Sequence, residues 1–146
     1  MTLETKVTEI THDDLVFLLS TASEGSSWLA FSYKKSDYEP LKKEGDCFED
    51  KLAKILLAGK SIEACDYYAE GEHYGNLPYE VLEDDAAVCY KLTLEDIKTG
   101  LGKAFSSPNY LATYAHDLIE DEGVNLDQPE AESLMQYILF GEEIYG

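Results

Sequence analysis

The chain contains no arginine: among its 146 residues, all 11 basic residues are lysines, and they stand against 30 aspartates and glutamates. The formal net charge is therefore −19. Arginine carries the planar guanidinium that recognises phosphate through paired hydrogen bonds, and nucleic-acid binding depends on cationic side chains. The composition argues against direct contact with nucleic acid, and anionic membrane surfaces would repel the chain as well. We expect its partners to be basic protein surfaces or cations.

Cysteine is scarce too. The three cysteines, Cys47, Cys65 and Cys89, lie far apart and form no Cys-x-x-Cys pair. Their odd number and wide spacing predict neither a disulfide framework nor a zinc site, and each is typical of a small buried hydrophobic side chain. The sequence also has no apolar run of the kind found in a signal peptide or a bilayer-spanning helix. We therefore expect a protein of a reducing cytoplasm that needs no cofactor.

Apolar periodicity and turn residues predict the order of secondary structure in a single domain, residues 1–146. Strands are predicted at residues 3–10, 28–33, 61–69 and 86–92, with a brief extended stretch at 79–82. Helices are predicted after the caps Thr11, Thr93 and Asp127, the first two with an aspartate three residues later, over residues 48–58 and from Ser107. Residues 34–46 are predicted as a loop or irregular edge. Grouped strands and a helical C-terminal half predict an α+β fold, with an antiparallel sheet of about four strands covered by helices on one side.

Two details of helix packing are also predicted. Phe48 and Tyr110 have the spacing of residues on the inner faces of their helices. Gly100 and Gly102 weaken a predicted helix by about 1 kcal/mol each relative to alanine. We therefore expect both glycines to pack closely against a neighbouring element.

The C-terminal helix has the clearest pattern. Asp127 is a suitable cap, and Glu130, three residues later, completes a capping box. Gly141 is expected to end the helix, and Ile144 and Tyr145 to give the tail a second apolar anchor. Its apolar face consists of Ala131, Leu134, Met135 and Ile138. The expected outer face consists of Glu132, Gln136, Glu142 and Glu143.

Residues 134–146, LMQYILFGEEIYG, resemble the C-terminal signature of small accessory proteins of phages and conjugative elements. That signature is roughly Gln-Tyr-Ala-Leu-Phe-Gly-Glu, followed by an apolar pair and a final glycine. Residues 10–28, 56–66 and 90–105 are similar to the same group. Ile138 replaces the usual small residue, and residues 67–85 resemble an insertion. The resemblance implies an origin on a mobile element more than an activity.

The acidic residues are concentrated in the second half of the chain. Residues 1–73 hold 15 acids and 8 lysines, a net charge of −7, whereas residues 74–146 hold 15 acids and 3 lysines, a net charge of −12. The acids are interleaved with apolar residues, which predicts a folded acidic face rather than a disordered tail. Carboxylates three or four positions apart on a helix lie about 5–6 Å apart, which is similar to phosphate spacing along a strand. A rigid array of this kind fits a channel built for nucleic acid, and the alternative is a surface that serves only solubility.

The hypothesis is therefore a mobile-element-encoded inhibitor of a host-defence nuclease, of the anti-CRISPR or antirestriction kind, which imitates nucleic acid. Known antirestriction and anti-CRISPR proteins are often small, acidic and globular, and this chain is similar in those respects. The alternative is a non-enzymatic accessory factor of a phage or conjugative element that binds another protein. The predicted partner-binding residues are Glu80, Glu83, Asp84, Asp85, Asp117, Glu120, Asp121, Glu122, Glu130, Glu132, Glu142, Glu143 and Tyr74.

Other chemistry has weaker support in the sequence. The acidic runs at residues 13–14 and 83–85 lack the alternating ligands and central glycine of a calcium-binding loop, so no metal site is predicted. The three histidines, His12, His73 and His116, have no local nucleophile beside them, and we expect a protein that is not an enzyme. The turn-rich segment 70–77 carries His73 and Tyr74 near its tip and is predicted to be exposed and to contact a partner.

Overall fold

A computed structural model describes residues 10–107, 110–120 and 126–145 of the chain. These residues form six α-helices and a four-stranded antiparallel sheet, which confirms the predicted α+β fold and its helical C-terminal half. The strand predicted at residues 3–10 lies outside the described residues except for Ile10, which is buried but not in a strand. The predicted binding residues Asp121 and Glu122 also lie outside them.

The sheet consists of β1 (Leu29–Ser32), β2 (Ile62–Asp66), β3 (Tyr79–Val81) and β4 (Val88–Leu92). Their order across the sheet is β1-β2-β4-β3, and every neighbouring pair is antiparallel. The strands predicted at 61–69 and 86–92 correspond to β2 and β4, which pair with each other in the predicted antiparallel sheet. Alternate residues of each strand point to opposite faces, and the helices cover only one of these faces.

The helices are α1 (His12–Ser23), α2 (Lys35–Tyr38), α3 (Phe48–Leu57), α4 (Leu94–Phe105), α5 (Leu111–Glu120) and α6 (Gln128–Phe140). A 3₁₀ turn, Glu39–Leu41, follows α2. The prediction of a loop or irregular edge over residues 34–46 is therefore wrong in part. Tyr38 is buried there, and its hydroxyl donates a 2.6 Å hydrogen bond to Asp46. One aromatic anchor orders this segment, and a single anchor leaves no periodic pattern in the sequence.

Helix starts follow local capping chemistry. Thr11, Thr93 and Asp127 each accept a backbone N–H of the first turn, and each forms a complete capping box, as predicted. Cys47 caps α3 in the same way together with Asp50, although cysteine is not a preferred cap. Gly141 ends α6 in the left-handed conformation, with a φ of +79°, which glycine adopts without a steric penalty.

The core lies between the sheet and the helices, and α6 is central because it packs against α1, α4 and α5. A Cβ atom on Gly100 of α4 would lie 2.7 Å from the Cα atom of Ile138 in α6, so the predicted close packing is confirmed at this position. At Gly102 the same prediction is wrong, since a Cβ atom there would meet nothing within 4 Å.

Three other side chains depart from their predicted positions. Phe48 and Tyr110, expected on inner faces, are 43% and 48% exposed because they lie at or just before the first residue of their helices. Gln136, expected on the outer face of α6, is 3% exposed. Its side-chain oxygen accepts the backbone N–H groups of Ile144 and Tyr145, each at 2.8 Å, so it fixes the C-terminal tail.

No helix within the described residues is both long and apolar enough to cross a membrane.

Candidate functional site

The uncovered face of the sheet carries an open groove with a volume of about 380 Å³. Ser32, Glu63 and Lys91 lie side by side across β1, β2 and β4 in one row of the register. Cys65, Cys89 and Glu80 form the next row across β2, β4 and β3. The residues of both rows alternate with the core-facing residues along each strand, so side chains from all four strands lie together on this surface.

Cys65 and Cys89 form a disulfide bond across β2 and β4, which corrects the prediction that the cysteines are unpaired hydrophobic side chains. The two residues lie 24 positions apart, and only the register of the antiparallel pair brings them together. Cys47 is exposed and free. The carboxylate of Glu63 lies beside the sulfur pair: one ligand atom from each of these three residues falls within 4.8 Å of the other two.

A first group of predicted binding acids occupies β3 and the connection from β3 to β4. Glu80, Glu83, Asp84 and Asp85 are all exposed. Only Asp85 has a described internal role, because its carboxylate accepts the backbone N–H of Ala87 at 3.2 Å. The β3–β4 acidic segment, residues 80–85, thus presents carboxylates to solvent at an edge of the sheet.

A second group lies on α5, α6 and the tail, and folding engages several of its members. Glu130 accepts the backbone N–H of Asp127 at 3.0 Å in the capping box. Glu132 accepts hydrogen bonds from the Trp28 indole and from Gln128, so folding already engages both of its carboxylate oxygens.

The remaining members of this group lie nearer the surface. Glu143 accepts the Tyr110 hydroxyl at 2.7 Å, which raises the pKa of that phenol. His116 pairs with Glu120 at 3.2 Å, Asp117 is half-buried, and Glu142 is exposed.

The two groups belong to different parts of the fold. β3 pairs with β4, whereas α5 packs on α4, α6 and α1. The ion pairs that lysines form in the described part of the chain join Lys54 with Asp46, Lys60 with Asp37 and Lys98 with Glu95. None of those three acids belongs to the predicted binding set. The β3–β4 acidic segment is therefore the part of the set with the largest exposure and the fewest internal partners among the described contacts.

Tyr74 is packed more tightly against its neighbours than an exposed partner-binding residue would be. Its ring packs edge-to-face against Phe140 with centroids 5.7 Å apart, and its backbone N–H donates to the Tyr90 hydroxyl at 2.9 Å. Burial raises the pKa of Tyr74 and that of Tyr90. The exposed aromatic position nearby is Tyr79 in β3, which is 46% exposed and stacks on His73 with centroids 4.0 Å apart. The sequence pattern predicted Tyr74, and not Tyr79, as the exposed aromatic contact.

A buried polar contact on the covered side of the sheet was also missed. Asp66, at the end of β2, is fully buried, and its carboxylate accepts the Tyr145 hydroxyl at 2.7 Å and the Tyr68 backbone N–H at 2.9 Å. Burial raises the pKa of Asp66 above its ordinary value, and the two hydrogen bonds oppose that change. Burial and the contact with Asp66 raise the pKa of Tyr145 as well. This contact holds the tail against the sheet.

Comparison of the chain with protein-family models, with curated proteins and with solved structures finds no match in any of the three. The similarity of residues 134–146 to accessory proteins of mobile elements therefore stays an interpretation of that motif.

Proposed function

We propose that this chain is a non-enzymatic binding protein whose β3–β4 acidic segment occupies a basic surface of a nucleic-acid-processing protein. One observation carries the proposal: Glu80, Glu83, Asp84 and Asp85 are exposed together at a sheet edge, in a chain with a formal net charge of −19. A cationic channel built for phosphates offers the complementary charge.

The electrostatic part of this binding acts mainly on association. Clusters of one charge sign steer an oppositely charged partner and raise the association rate by about 10–10³-fold. Salt screens such steering, with a Debye length of about 10 Å at 0.1 M ionic strength. The proposal therefore requires an association rate that falls as salt is added.

An apolar contact beside the acids supplies the complementary short-range energy. Tyr79 and Val81 flank Glu80 in β3 and are 46% and 42% exposed. They point to the face opposite to Glu80, on the side of the buried Tyr90 and Val88, at the β3 edge of the sheet. Tyrosine at an interface adds a large contact area and loses little side-chain entropy. We assign Tyr79, rather than the packed Tyr74, as the aromatic anchor.

The particular partner that we propose is a host-defence nuclease, either a CRISPR effector or a restriction enzyme. Two features support it: the acidic, arginine-free composition, and the resemblance of residues 134–146 to accessory proteins of phages and conjugative elements. In this function the carboxylates of the β3–β4 acidic segment stand in for phosphates in the nuclease channel. Asp117, Glu120 and Glu142 then extend the negative field on the helical side.

The alternative is an accessory factor that binds another protein encoded by the same element. The observation that favours it is the internal engagement of Glu130, Glu132 and Glu143, which leaves a shorter free acidic surface than a long imitation of a nucleic-acid backbone needs. A short acidic and aromatic edge is sufficient for an ordinary protein interface.

A matched pair of variants tests the proposal. The first carries Glu80→Gln, Glu83→Gln and Asp84→Asn, and the control carries Glu24→Gln, Glu39→Gln and Glu44→Gln, three exposed acids elsewhere in the fold. Both variants change the net charge by the same three units. Immobilised wild type and variants are incubated with bacterial lysates at low and high salt. Any captured nuclease is then purified and tested for competition between this chain and the nuclease's own nucleic acid.

The proposal predicts that wild type and control displace labelled nucleic acid from the nuclease, whereas the β3–β4 variant associates about tenfold more slowly at low salt. A nuclease that binds nucleic acid and this chain at the same time would contradict nucleic-acid imitation. Equal losses in both variants would show that net charge, rather than this segment, controls binding. Capture of element-encoded proteins that persists at high salt would favour the accessory-factor alternative.

A further inference from the structure

The groove on the uncovered face of the sheet contains a set of metal-binding groups that the widely spaced cysteines did not predict. The sulfur atoms of Cys65 and Cys89 and a carboxylate oxygen of Glu63 all lie within 4.8 Å of one another. The ligand atoms of a tetrahedral zinc ion stand about 3.5–4 Å apart, so small side-chain rotations bring these three atoms to binding distance.

The geometry points to a redox-gated metal site: we propose that, once the Cys65–Cys89 disulfide is reduced, the two thiolates and Glu63 bind one Zn²⁺ ion. Two thiolates and a carboxylate are ligands that zinc prefers, and a water molecule in the open groove completes four-coordination. The disulfide blocks this site in the oxidised protein because a sulfur in an S–S bond is no longer a thiolate.

The proposed exchange balances in two steps. An external dithiol transfers two electrons and two protons to the Cys65–Cys89 bond, which breaks to give two thiols, while the dithiol leaves as its own disulfide. Zinc binding then releases the two thiol protons to solvent. No other oxidant or reductant takes part.

The sheet around the site is suited to both states. β2 and β4 are paired along their whole length, with Cys65 opposite Cys89 and Glu63 opposite Lys91, so the backbone holds the ligands in place after the disulfide opens. Two thiolates, one carboxylate and Zn²⁺ sum to a charge of −1. The positive charge of Lys91, in the same row as Glu63, offsets that remaining charge.

Glu63, Lys91 and Cys89 line the groove. Glu63 and Lys91 are exposed, whereas Cys89 and its disulfide partner Cys65 are buried. An ion entering from solvent therefore meets the carboxylate first and the sulfurs beneath it. The groove provides the entry path that a metal site requires.

The experiment compares oxidised protein with protein that has been reduced by dithiothreitol and freed of it by anaerobic gel filtration. Zinc binding is measured by competition with a chromogenic chelator, and Co²⁺ is used in parallel because cobalt bound to thiolates gives a charge-transfer absorption. The variants are Cys89→Ser, Glu63→Gln and, as a control, Cys47→Ser, which changes the exposed free cysteine outside the groove. Far-UV circular dichroism checks the fold of each variant.

The proposal predicts one ion per reduced chain, and at least about tenfold weaker binding by the oxidised protein, by Cys89→Ser and by Glu63→Gln. Cys47→Ser should bind as the wild type does. Equal zinc affinity in the reduced and oxidised proteins would overturn the proposal, as would loss of binding in Cys47→Ser. Unchanged affinity in folded Glu63→Gln, which keeps both cysteines, would overturn the three-ligand site.

Discussion

The hydroxyl of Tyr145 donates a 2.7 Å hydrogen bond to the carboxylate of Asp66, 79 residues earlier in the chain. Asp66 is fully buried at the end of β2, and the tail that carries Tyr145 is held by Gln136 of α6. The contact therefore joins the C-terminal tail to the sheet through a polar group that has lost its contact with water.

Replacing Tyr145 with phenylalanine should destabilise the protein by about 1–3 kcal/mol, because one carboxylate oxygen of Asp66 is then buried without this donor. The variant keeps the aromatic ring, which lies 5.2 Å from the Trp28 ring, so packing changes little. Urea unfolding at neutral pH measures the difference in the free energy of unfolding.

Tyr110→Phe is the control for this prediction. It removes the same kind of hydrogen bond, from a tyrosine hydroxyl to the carboxylate of Glu143, at a position that is 48% exposed. Water replaces the lost donor there, so we expect a change within about 0.5 kcal/mol. Equal losses in the two variants would contradict the assigned importance of burial at Asp66.

Asp50 should make stability depend on pH in the acid range. Its hydrogen bond with His12, together with the bonds from Cys47, lowers its pKa to about 2. An unfolded aspartate has a pKa of about 3.9, so this carboxylate contributes stability above about pH 4 and loses that contribution as the pH falls through about 2. We expect Asp50→Asn to lose stability less steeply than the wild type over this interval, as measured by thermal unfolding at a series of pH values.

Asp50→Asn also weakens the α3 capping box, which costs about 1 kcal/mol at neutral pH. Both His12 and Asp50 are about one-third exposed, so solvent screening keeps the ionic part of their contact to at most about 1 kcal/mol. Asp84→Asn, in the exposed β3–β4 acidic segment, is the control and should follow the wild-type acid profile. A wild-type slope in Asp50→Asn would show that this pair does not contribute to acid sensitivity.

Gly100 and Gly102 in α4 should respond to alanine with opposite signs. Alanine at Gly102 meets nothing within 4 Å and gains helix propensity, so we expect a stabilisation of up to about 1 kcal/mol. Alanine at Gly100 approaches the Ile138 backbone to 2.7 Å, and the forced separation of α4 from α6 should cost about 1–3 kcal/mol. Thermal unfolding of the two single variants measures both signs, and stabilisation by Gly100→Ala would contradict the close helix contact.

The features that the sequence predicted correctly are local ones. The Thr93–Asp96 and Asp127–Glu130 capping boxes need only residues three positions apart, and helical spacing alone predicted the buried face of α6. These signals depend on the backbone geometry of one element. They predicted the α+β class and, apart from α2 and the 3₁₀ turn, the order of the elements after residue 10.

The features that escaped prediction depend on register and burial between distant elements. The pairing of β2 with β4 brings Cys65 and Cys89 together as a disulfide. The packing of the C-terminal tail against the sheet lets the Tyr145 hydroxyl donate a hydrogen bond to Asp66. Glu132 and Gln136 follow the polar phase of α6, yet both bond inward, to Trp28 and to the tail. A single helical period cannot distinguish a polar side chain that faces water from one that bonds to a tail or an indole.

Under the proposed function, Tyr79 and the neighbouring acids should affect different rate constants of binding. Charged groups act over a distance and control association, whereas a desolvated aromatic contact controls dissociation. We expect Tyr79→Ala to raise the dissociation rate of the partner complex by about tenfold or more, as for an interface hot spot, with little change in association. The variant in which Glu80, Glu83 and Asp84 are neutralised should mainly lower the association rate and its dependence on salt.

Tyr110→Ala is the matched control, because Tyr110 is 48% exposed, close to the 46% of Tyr79, but precedes α5 on the helical side. Surface plasmon resonance at several salt concentrations separates the two rate constants. Equal effects of Tyr79→Ala and Tyr110→Ala on dissociation would show that the β3 edge is not the contact surface.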